Sequence, residues 1–332
     1  MSYNAAFFCN KDSVDYVYGD KRTAQINEHY SLCPDFITAE NLEEKLGDLQ
    51  DLKYVFSTWG MTPLDSEQIS KLPSLEAVFY AAGSVQSFAR PLLDAGITVM
   101  SSWGANAVPV AEYTVSQIQM ASTGFFHLAE TNRSPKTKGD IKNSEFPGCF
   151  EITVAILGAG MIGSMICERL KNYEVDVIVF DPFLSDERAA ELGVEVVSIE
   201  EAFSRGQVIS NHIANLPTTE GLIKGEYFAK MLPYSTFINT GRGLTIEEDK
   251  MLDVLEERPD IYALLDVAQI EPPEEDSRIW SLPNVIYTPH IAGSLGNEVR
   301  RMADYAIAEA KLFREGKELN YAVTHKMLET MA

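Results

Sequence analysis

Positively charged residues are scarce in this sequence. The chain of 332 residues has 27 Lys and Arg against 49 Asp and Glu, which gives a formal net charge of −22 at pH 7. Nucleic acids and anionic membrane surfaces bind proteins through positive charge, so this balance argues against both as partners. A small anionic ligand is still compatible with it, because one Arg can dominate the charge of a pocket.

Cysteine and histidine are also rare. The four cysteines, Cys9, Cys33, Cys149 and Cys167, show no C-x-x-C spacing and form no cluster with the five histidines. This pattern is typical of a reducing compartment and of buried, unpaired thiols. No spacing typical of a metal site occurs, so we predict no metal.

Long apolar runs are absent as well. No run reaches the length of a membrane span, and residues 1–21 lack the basic start and apolar core of a signal peptide. We therefore expect a cytoplasmic protein with no membrane partner.

The sequence does contain a regular alternation of short β-type runs and helical segments. Hydrophobic residues make up 45% of the chain, which is enough for two domain cores. The alternation predicts an α/β fold with parallel sheets and helices on both faces. The predicted strands are 4–9, 53–58, 75–80 and 97–101 in the first part of the chain, and 152–157, 175–180, 194–197, 208–211, 235–240, 261–266 and 285–288 in the second; the longest predicted helix is 108–131.

The most informative stretch is the sequence GAGMIG at 158–163, which lies between a predicted strand and a helix. Gly158 allows a tight turn, Gly160 lets a pyrophosphate approach the backbone, and Gly163 lets the helix pack closely against the strand. A glycine-rich turn alone is a weak signal, but here it stands between two strands. We therefore predict dinucleotide binding at the helix N-terminus, by Gly158, Gly160, Met161, Ile162 and Gly163.

An acidic residue completes this pattern. Asp181 ends the second strand of the unit, 23 residues after Gly158. Its carboxylate is predicted to accept hydrogen bonds from the adenosine ribose, and it would repel the 2′-phosphate of NADP. No Arg or Lys follows directly, so we predict NAD as the cofactor.

Polar residues also follow three later strands. Arg242 comes after 235–240, Asp266 and Glu271 come after Leu265, and His290 comes after 285–288. In open α/β sheets, ligands bind beyond the carboxyl ends of the strands. Taken singly, each residue also has a structural explanation, as a loop charge, a solvated acid or a hydrogen-bonded histidine.

These residues resemble, in pattern and order, those of the D-specific 2-hydroxyacid dehydrogenases. The similarity covers nearly the whole chain, and the nucleotide-binding part is most similar to phosphoglycerate dehydrogenases. It rests on the segments GANAVPVAEYTV, GAGMIG, FDPF, INTGRG, LLDVAQIEPP and LPNVIYTPHIAG.

The resemblance implies a catalytic set of Arg242, Glu271 and His290. His290 would be the acid and base at the C2 oxygen, Glu271 would orient its ring, and Arg242 would bind the substrate carboxylate. The activity implied is NAD-dependent interconversion of a 2-oxo acid and the D-2-hydroxy acid by hydride transfer. The substrate itself is left open.

The resemblance also assigns four supporting residues. Backbone N–H groups of Ala82 and Gly83 would complete the substrate site, and Thr240 and Asp266 would contact the cofactor. The fold that the resemblance implies is a Rossmann NAD-binding domain over 106–295 with a smaller flavodoxin-like substrate domain.

That substrate domain is expected to comprise residues 1–105 and 296–332. The resemblance also implies a homodimer, expected through the helix 108–131 and a connecting arm at 132–148. The alternative function is an NAD(H)-sensing, corepressor-like protein with little turnover, which the catalytic set alone does not exclude.

The chain departs from the family pattern at Ala214 and Leu216, where Pro and Thr are usual near the adenosine, which puts cofactor affinity there in question. Three aromatic residues, Trp59, Tyr80 and Trp103, lie near strand ends and are either substrate contacts or core residues.

Overall fold

The computed structural model describes residues 3–132 and 145–329. The chain divides into two compact units, unit 1 with Met1–Asn106 and Ser294–Ala332, and unit 2 with Ala107–Gly293. The domain boundaries expected from the sequence differ from these by one and two residues. Residues 133–144 of the expected arm lie outside the described residues.

Unit 1 is built on a parallel sheet of five strands in the order β2-β1-β3-β4-β5. The apolar runs predicted from the sequence form its central strands, whose side chains are buried, as expected for a parallel sheet covered on both faces. The strands are β1 (Ala5–Phe7), β2 (Leu32–Phe36), β3 (Tyr54–Ser57), β4 (Ala77–Tyr80) and β5 (Thr98–Ser101).

The helices of unit 1 are short, and several begin at a side-chain cap. Asn10 caps α1 by accepting from the N–H of Ser13 at 2.8 Å, and Asp65 forms a reciprocal capping box with Gln68 at the start of α4. The helices described are α1 (Lys11–Val17), α2 (Gly19–Asn27), α3 (Leu42–Lys45), α4 (Ser66–Ser70), α5 (Ala89–Asp94), the start of α6 (Trp103–Ser122) and α13 (Val299–Arg314).

Unit 2 is built on a parallel sheet of seven strands in the order β12-β11-β10-β9-β6-β7-β8. Its strands fall within one residue of the predicted ends. They are β6 (Thr153–Leu157), β7 (Asp176–Phe180), β8 (Glu195–Val196), β9 (Val208–Asn211), β10 (Thr236–Asn239), β11 (Tyr262–Leu265) and β12 (Val285–Tyr287).

Alternate residues of these strands enter two separate cores, one on each face of the sheet. Ala155 and Leu157 belong to one core, whereas Val154 and Ile156 belong to the other. The helices are α7 (Phe125–Thr131), α8 (Met161–Leu170), α9 (Asp186–Leu192), α10 (Ile199–Arg205), α11 (Gly225–Phe228) and α12 (Glu248–Glu257). The predicted fold class, two α/β domains with parallel sheets, is confirmed.

One prediction about the helices is wrong. The segment 108–131 forms two helices, α6 and α7, separated at Gly124. Among the described residues, no helix combines the length and the apolar character needed to cross a membrane.

Candidate active site

The glycine-rich turn leads from β6 into α8. Gly158 has a φ of +90°, and a Cβ added to it would lie 2.9 Å from the carbonyl oxygen of His212. At Gly163 the corresponding distance, to the carbonyl oxygen of Gly158, is 2.0 Å. A Cβ at Gly160 would meet nothing within 4 Å. Two glycines are therefore needed for the turn and its packing, whereas Gly160 leaves open space in front of the helix N-terminus, which fits a dinucleotide phosphate.

Asp181 follows β7 and uses both carboxylate oxygens to hold this turn. Its Oδ2 accepts the N–H of Ala159 at 2.8 Å, and its Oδ1 accepts the N–H of Phe183 at 2.8 Å. Each carboxylate oxygen has a second lone pair, so the two hydroxyls of a ribose can still be accepted here.

The loops that carry the predicted residues follow neighbouring strands at one edge of the sheet. Asp181 follows β7, the glycine turn follows β6, and Arg242, Asp266 and His290 follow β10, β11 and β12. The strand order reverses between β6 and β9, which is where open α/β sheets bind ligands. Strands lie about 4.8 Å apart, so roughly 20 Å separate the ends of β7 and β11.

Arg242 is partly buried and forms no ion pair among the described residues. Its guanidinium donates to the carbonyl oxygen of Gly241 at 2.8 Å. Burial lowers the pKa of Arg242, and the nearby Glu271 carboxylate opposes that shift. A desolvated guanidinium without a carboxylate partner is costly, and such a group is well suited to bind an anionic ligand.

The loop of Arg242 packs directly against the loop that carries Glu271. A Cβ added to Gly243 would lie 2.0 Å from the carbonyl carbon of Ala268, so glycine is required at this contact. The Arg242 carbonyl oxygen accepts from Thr245 Oγ1 at 2.8 Å, which fixes the backbone beside the guanidinium.

Glu271 and His290 form a hydrogen-bonded pair. Glu271 Oε2 lies 2.9 Å from His290 Nδ1, and the two side chains are 32% and 49% exposed. With Nδ1 used in this way, Nε2 is the ring nitrogen left for a ligand, and it has no partner among the described residues. The three residues predicted to be catalytic therefore lie close together. The His290 ring is hydrogen-bonded to Glu271, and the guanidinium of Arg242 is near the Glu271 carboxylate.

Asp266 supports the loop that carries His290. Its buried carboxylate accepts from Thr288 Oγ1 at 2.6 Å and from the N–H groups of Ile291 and Ala292, both at 2.8 Å. The carbonyl oxygen of Asp266 also accepts the N–H of His290 at 2.9 Å. The sequence pattern did not indicate this supporting role of Asp266. The predicted contact of Asp266 with a cofactor stays a prediction.

Two other residues near the predicted cofactor site already have partners. Thr240 Oγ1 lies 3.0 Å from Thr114 Oγ1 of α6. His212 Nε2 lies 2.8 Å from Ser210 Oγ, its Nδ1 is buried without a partner, and burial lowers its pKa to about 3. His212 is therefore a neutral ring at neutral pH.

In unit 1, the turn at Ala82 and Gly83 follows β4. Ala82 is fully buried, and the N–H groups of both residues have no acceptor among the described residues. Their carbonyl oxygens accept from Ser101 Oγ, so the turn is fixed while its donors stay free. A buried N–H group without an acceptor, such as that of Ala82, is rare, and two adjacent free donors indicate a place for an anion.

The three aromatic residues near strand ends differ in their burial and in their packing partners. Tyr80 is buried and packs on Phe88, with ring centroids 4.9 Å apart. Trp103 packs on Tyr321, with centroids 5.5 Å apart. Trp59 keeps 39% of its surface exposed.

The comparisons with known proteins bear on this site. Residues 125–292 match the model of the D-isomer specific 2-hydroxyacid dehydrogenase, NAD binding domain. The chain belongs to this family. The matched domain contains the glycine turn, Asp181 and the Arg–Glu–His set, so the prediction of NAD as the cofactor is confirmed at the level of the domain.

Individual relatives agree with the family. The chain is similar to D-3-phosphoglycerate dehydrogenase of Bacillus subtilis, at 30% identity over 87% of this chain and 55% of that protein. The chain thus spans about half the length of the curated relatives it matches. In fold it is similar to a phosphoglycerate oxidoreductase from Rhizobium etli (TM-score 0.83, 20% identity, 98% and 99% of the two chains) and to D-mandelate dehydrogenase of Rhodotorula graminis (TM-score 0.82, 20% identity, 98% of each chain).

Proposed function

We propose that this protein is an NAD-dependent oxidoreductase that interconverts a 2-oxo acid and the D-2-hydroxy acid. The observation that supports it best is the Glu271–His290 pair, 2.9 Å apart, beside the unpaired Arg242. An acid–base group next to an anion-binding group is what reduction of an anionic carbonyl compound needs.

The chemistry that the nicotinamide cofactor supplies when bound is hydride transfer to C2 of the 2-oxo acid. Protonated His290 donates a proton from Nε2 to the carbonyl oxygen as negative charge develops there, and it takes the proton back in the reverse direction. Glu271 holds the ring by Nδ1 and stabilises the imidazolium. A positioned acid of this kind contributes about 10²–10⁴ in rate.

Arg242 binds the substrate carboxylate with two parallel hydrogen bonds and polarises the carbonyl group. Ala82 and Gly83, whose N–H groups are free, are proposed as substrate-binding residues of unit 1. The glycine turn, Met161, Ile162, Asp181, Thr240 and Asp266 are proposed to hold the cofactor.

A panel of 2-oxo acids tests this proposal. Oxidation of NADH is followed for each acid with the purified chain, and we expect turnover with at least one of them. His290→Gln is expected to abolish most of this turnover, although the variant still binds NADH. Tight NADH binding without turnover on any acid would contradict the proposal and favour the NAD(H)-sensing alternative.

We also propose a homodimer, as the family resemblance implies, through the α6 and α7 region. Phe125 at the start of α7 is 51% exposed and lines a surface cavity of about 390 Å³ with Phe126 and Leu282. Light scattering of the full chain should give twice the monomer mass. Phe125→Asp should give the monomer mass, and Phe183→Asp, at another exposed aromatic residue, should not. Cytoplasmic location stays a prediction.

A further inference from the structure

Two buried asparagines end neighbouring strands of unit 2. Asn211 and Asn239 are the last residues of β9 and β10, and they lie opposite each other in the parallel pairing of these strands. Both side chains are fully buried. Burying an amide is costly unless it is hydrogen-bonded, whereas burying an apolar side chain is favourable. The packing of the sheet alone would therefore be served better by apolar residues at these two positions.

The two amides bond each other and the turn that follows Arg242. Asn211 Nδ2 donates to Asn239 Oδ1 at 3.0 Å and to Thr245 Oγ1 at 2.9 Å. Thr245 is also fully buried, and it ends the short helical turn Gly243–Thr245. Asn211, Asn239 and Thr245, here called the amide cluster, thus join the ends of two strands to the loop that carries the guanidinium.

The amide cluster holds the backbone on both sides of the Arg242 side chain. Asn239 Oδ1 accepts the N–H of Gly241 at 3.0 Å. Asn239 Nδ2 and Thr245 Oγ1 donate to the carbonyl oxygen of Arg242, at 3.3 and 2.8 Å. The guanidinium itself donates to the carbonyl oxygen of Gly241 at 2.8 Å, between these two points. The side chain of Arg242 is therefore bonded to a segment of backbone that is fixed at both ends.

This segment also has little space in which to move. A Cβ added to Gly241 would lie 3.1 Å from the carbonyl oxygen of Asn211 and 3.4 Å from Asn239 Oδ1. A buried polar network whose members are hydrogen-bonded to one another favours one arrangement over others. The amide cluster therefore gives the backbone at Arg242 a single position.

The charge state of Arg242 explains why neutral groups do this work. Two parallel hydrogen bonds to a carboxylate require a guanidinium that is placed to within about 0.5 Å. A carboxylate partner would hold the guanidinium, but it would also compete with an anionic ligand. The amides and the hydroxyl group fix the backbone instead, so the positive charge stays available.

We infer that Asn211, Asn239 and Thr245 are positioning residues for the substrate, because they hold Arg242 where its guanidinium meets the carboxylate of the 2-oxo acid. This inference rests on the proposed function. It adds residues that act only through Arg242.

The first test is a matched pair of variants at Thr245. Thr245→Val removes the hydroxyl group and keeps the shape of the side chain, whereas Thr245→Ser keeps the hydroxyl group. With saturating NADH and the acid that gives the highest kcat/KM, we expect Thr245→Val to raise KM by about 10-fold and to lower kcat by less, the pattern of lost substrate binding. Thr245→Ser should keep a KM close to that of the wild type.

The second test compares two buried asparagines. Asn211→Leu removes three hydrogen bonds and should raise KM at least as much as Thr245→Val. The control is Asn284→Leu. Asn284 is buried before β12, at the amino end of the strand, and its Nδ2 donates to three backbone carbonyl oxygens.

Both leucine variants should lower Tm, but only Asn211→Leu should raise KM. An equal rise of KM in both would show a loss of stability alone and would overturn the inference. If Asn211→Leu does not fold, the comparison of Thr245→Val with Thr245→Ser decides.

A binding measurement separates this inference from the proposed function. Oxamate, an unreactive analogue of a 2-oxo acid, is titrated calorimetrically into the NADH-loaded protein. If no acid is reduced, a Kd for oxamate about 10-fold higher in Thr245→Val than in Thr245→Ser supports the positioning of Arg242 while the proposed reaction fails. Turnover with an unchanged KM in Thr245→Val leaves the reaction standing and overturns the inference. No turnover together with no oxamate binding overturns both.

Discussion

Asp266→Asn tests how the active-site loop is held. The carboxylate of Asp266 accepts three hydrogen bonds, at 2.6, 2.8 and 2.8 Å, from the segment 288–292 that surrounds His290. A hydrogen bond to a charged group contributes about 1.5–3 kcal/mol and a neutral one about 0.5–1.5 kcal/mol. Asn has one acceptor oxygen, so it keeps two of these bonds in neutral form and turns an N–H donor toward the third.

The summed loss is about 3–5 kcal/mol. Each kcal/mol lowers Tm by about 2–4 °C in a domain of about 150–250 residues, so the Tm of the variant is expected to fall by roughly 10 °C. The exposed Asp253→Asn is the matched control, because its ion pair with Arg278 is a surface pair and such pairs contribute about 0–1 kcal/mol.

Activity should fall as well, through His290. Its φ of +54° is in the left-handed region, which costs a non-glycine residue about 1–3 kcal/mol. Without the support of Asp266 the loop relaxes, and the population with His290 in place falls, which lowers kcat by about 10–100-fold. Steady-state kinetics, thermal unfolding and NADH titration are measured together. Unchanged Tm and kcat would refute the reasoning, and loss of NADH affinity alone would assign Asp266 to the cofactor.

Three further predictions follow from the site. His290→Gln should lower kcat by about 10²–10⁴ with NADH affinity retained; an equal loss of NADH binding would contradict its role as the acid. Asp181→Ala should raise the Kd of NAD and reduce the preference for NAD over NADP, because the ribose acceptor and the hydrogen bonds from the N–H groups of Ala159 and Phe183 are both lost. An unchanged Kd in titrations with both cofactors would contradict this. Because burial lowers the pKa of His212 from its ordinary value of 6.5 to about 3 in the folded chain, the unfolded chain binds a proton first as pH falls below about 6.5. Stability is therefore lost from there down to about pH 3. Urea unfolding at pH 6.5 and 4.5 should show about 2–3 kcal/mol more acid destabilisation in the wild type than in His212→Gln.

The strands were predictable because parallel strands buried on both faces are continuous apolar runs. The pairing of Glu271 with His290 also follows from topology. The two residues are 19 positions apart and follow neighbouring strands, β11 and β12, whose carboxyl ends share one edge. The sequence pattern thus indicated both the strands and the place where their loops meet.

Breaks in helices were not predictable, because contacts distant in sequence decide them. The apolar periodicity of 108–131 continues through Gly124, but this residue has a φ of +72° and a Cβ on it would lie 2.3 Å from the ring of Phe146.

The role of Asp266 shows a second limit of sequence reasoning. Two of its three donors are the backbone N–H groups of Ile291 and Ala292, and every non-proline residue has such a group. The residue types at 291 and 292 therefore contain no signal for the contact. Only the acceptor, an acid after a buried strand, is visible in the sequence, and its position suggests a ligand contact as readily as a structural one.

Net charge and the charge of the site are separate quantities in this chain. At physiological ionic strength the field of exposed charges is screened beyond about 8 Å, so the excess of 22 acidic charges acts weakly on a ligand inside a pocket. Inside the pocket, the unpaired guanidinium of Arg242 and its hydrogen-bonding geometry determine whether an anionic ligand binds. An acidic protein can thus hold a site for an anionic acid, provided that the guanidinium in that site has no carboxylate partner of its own. Arg242 meets this condition, because the carboxylate of the nearby Glu271 is hydrogen-bonded to His290 instead.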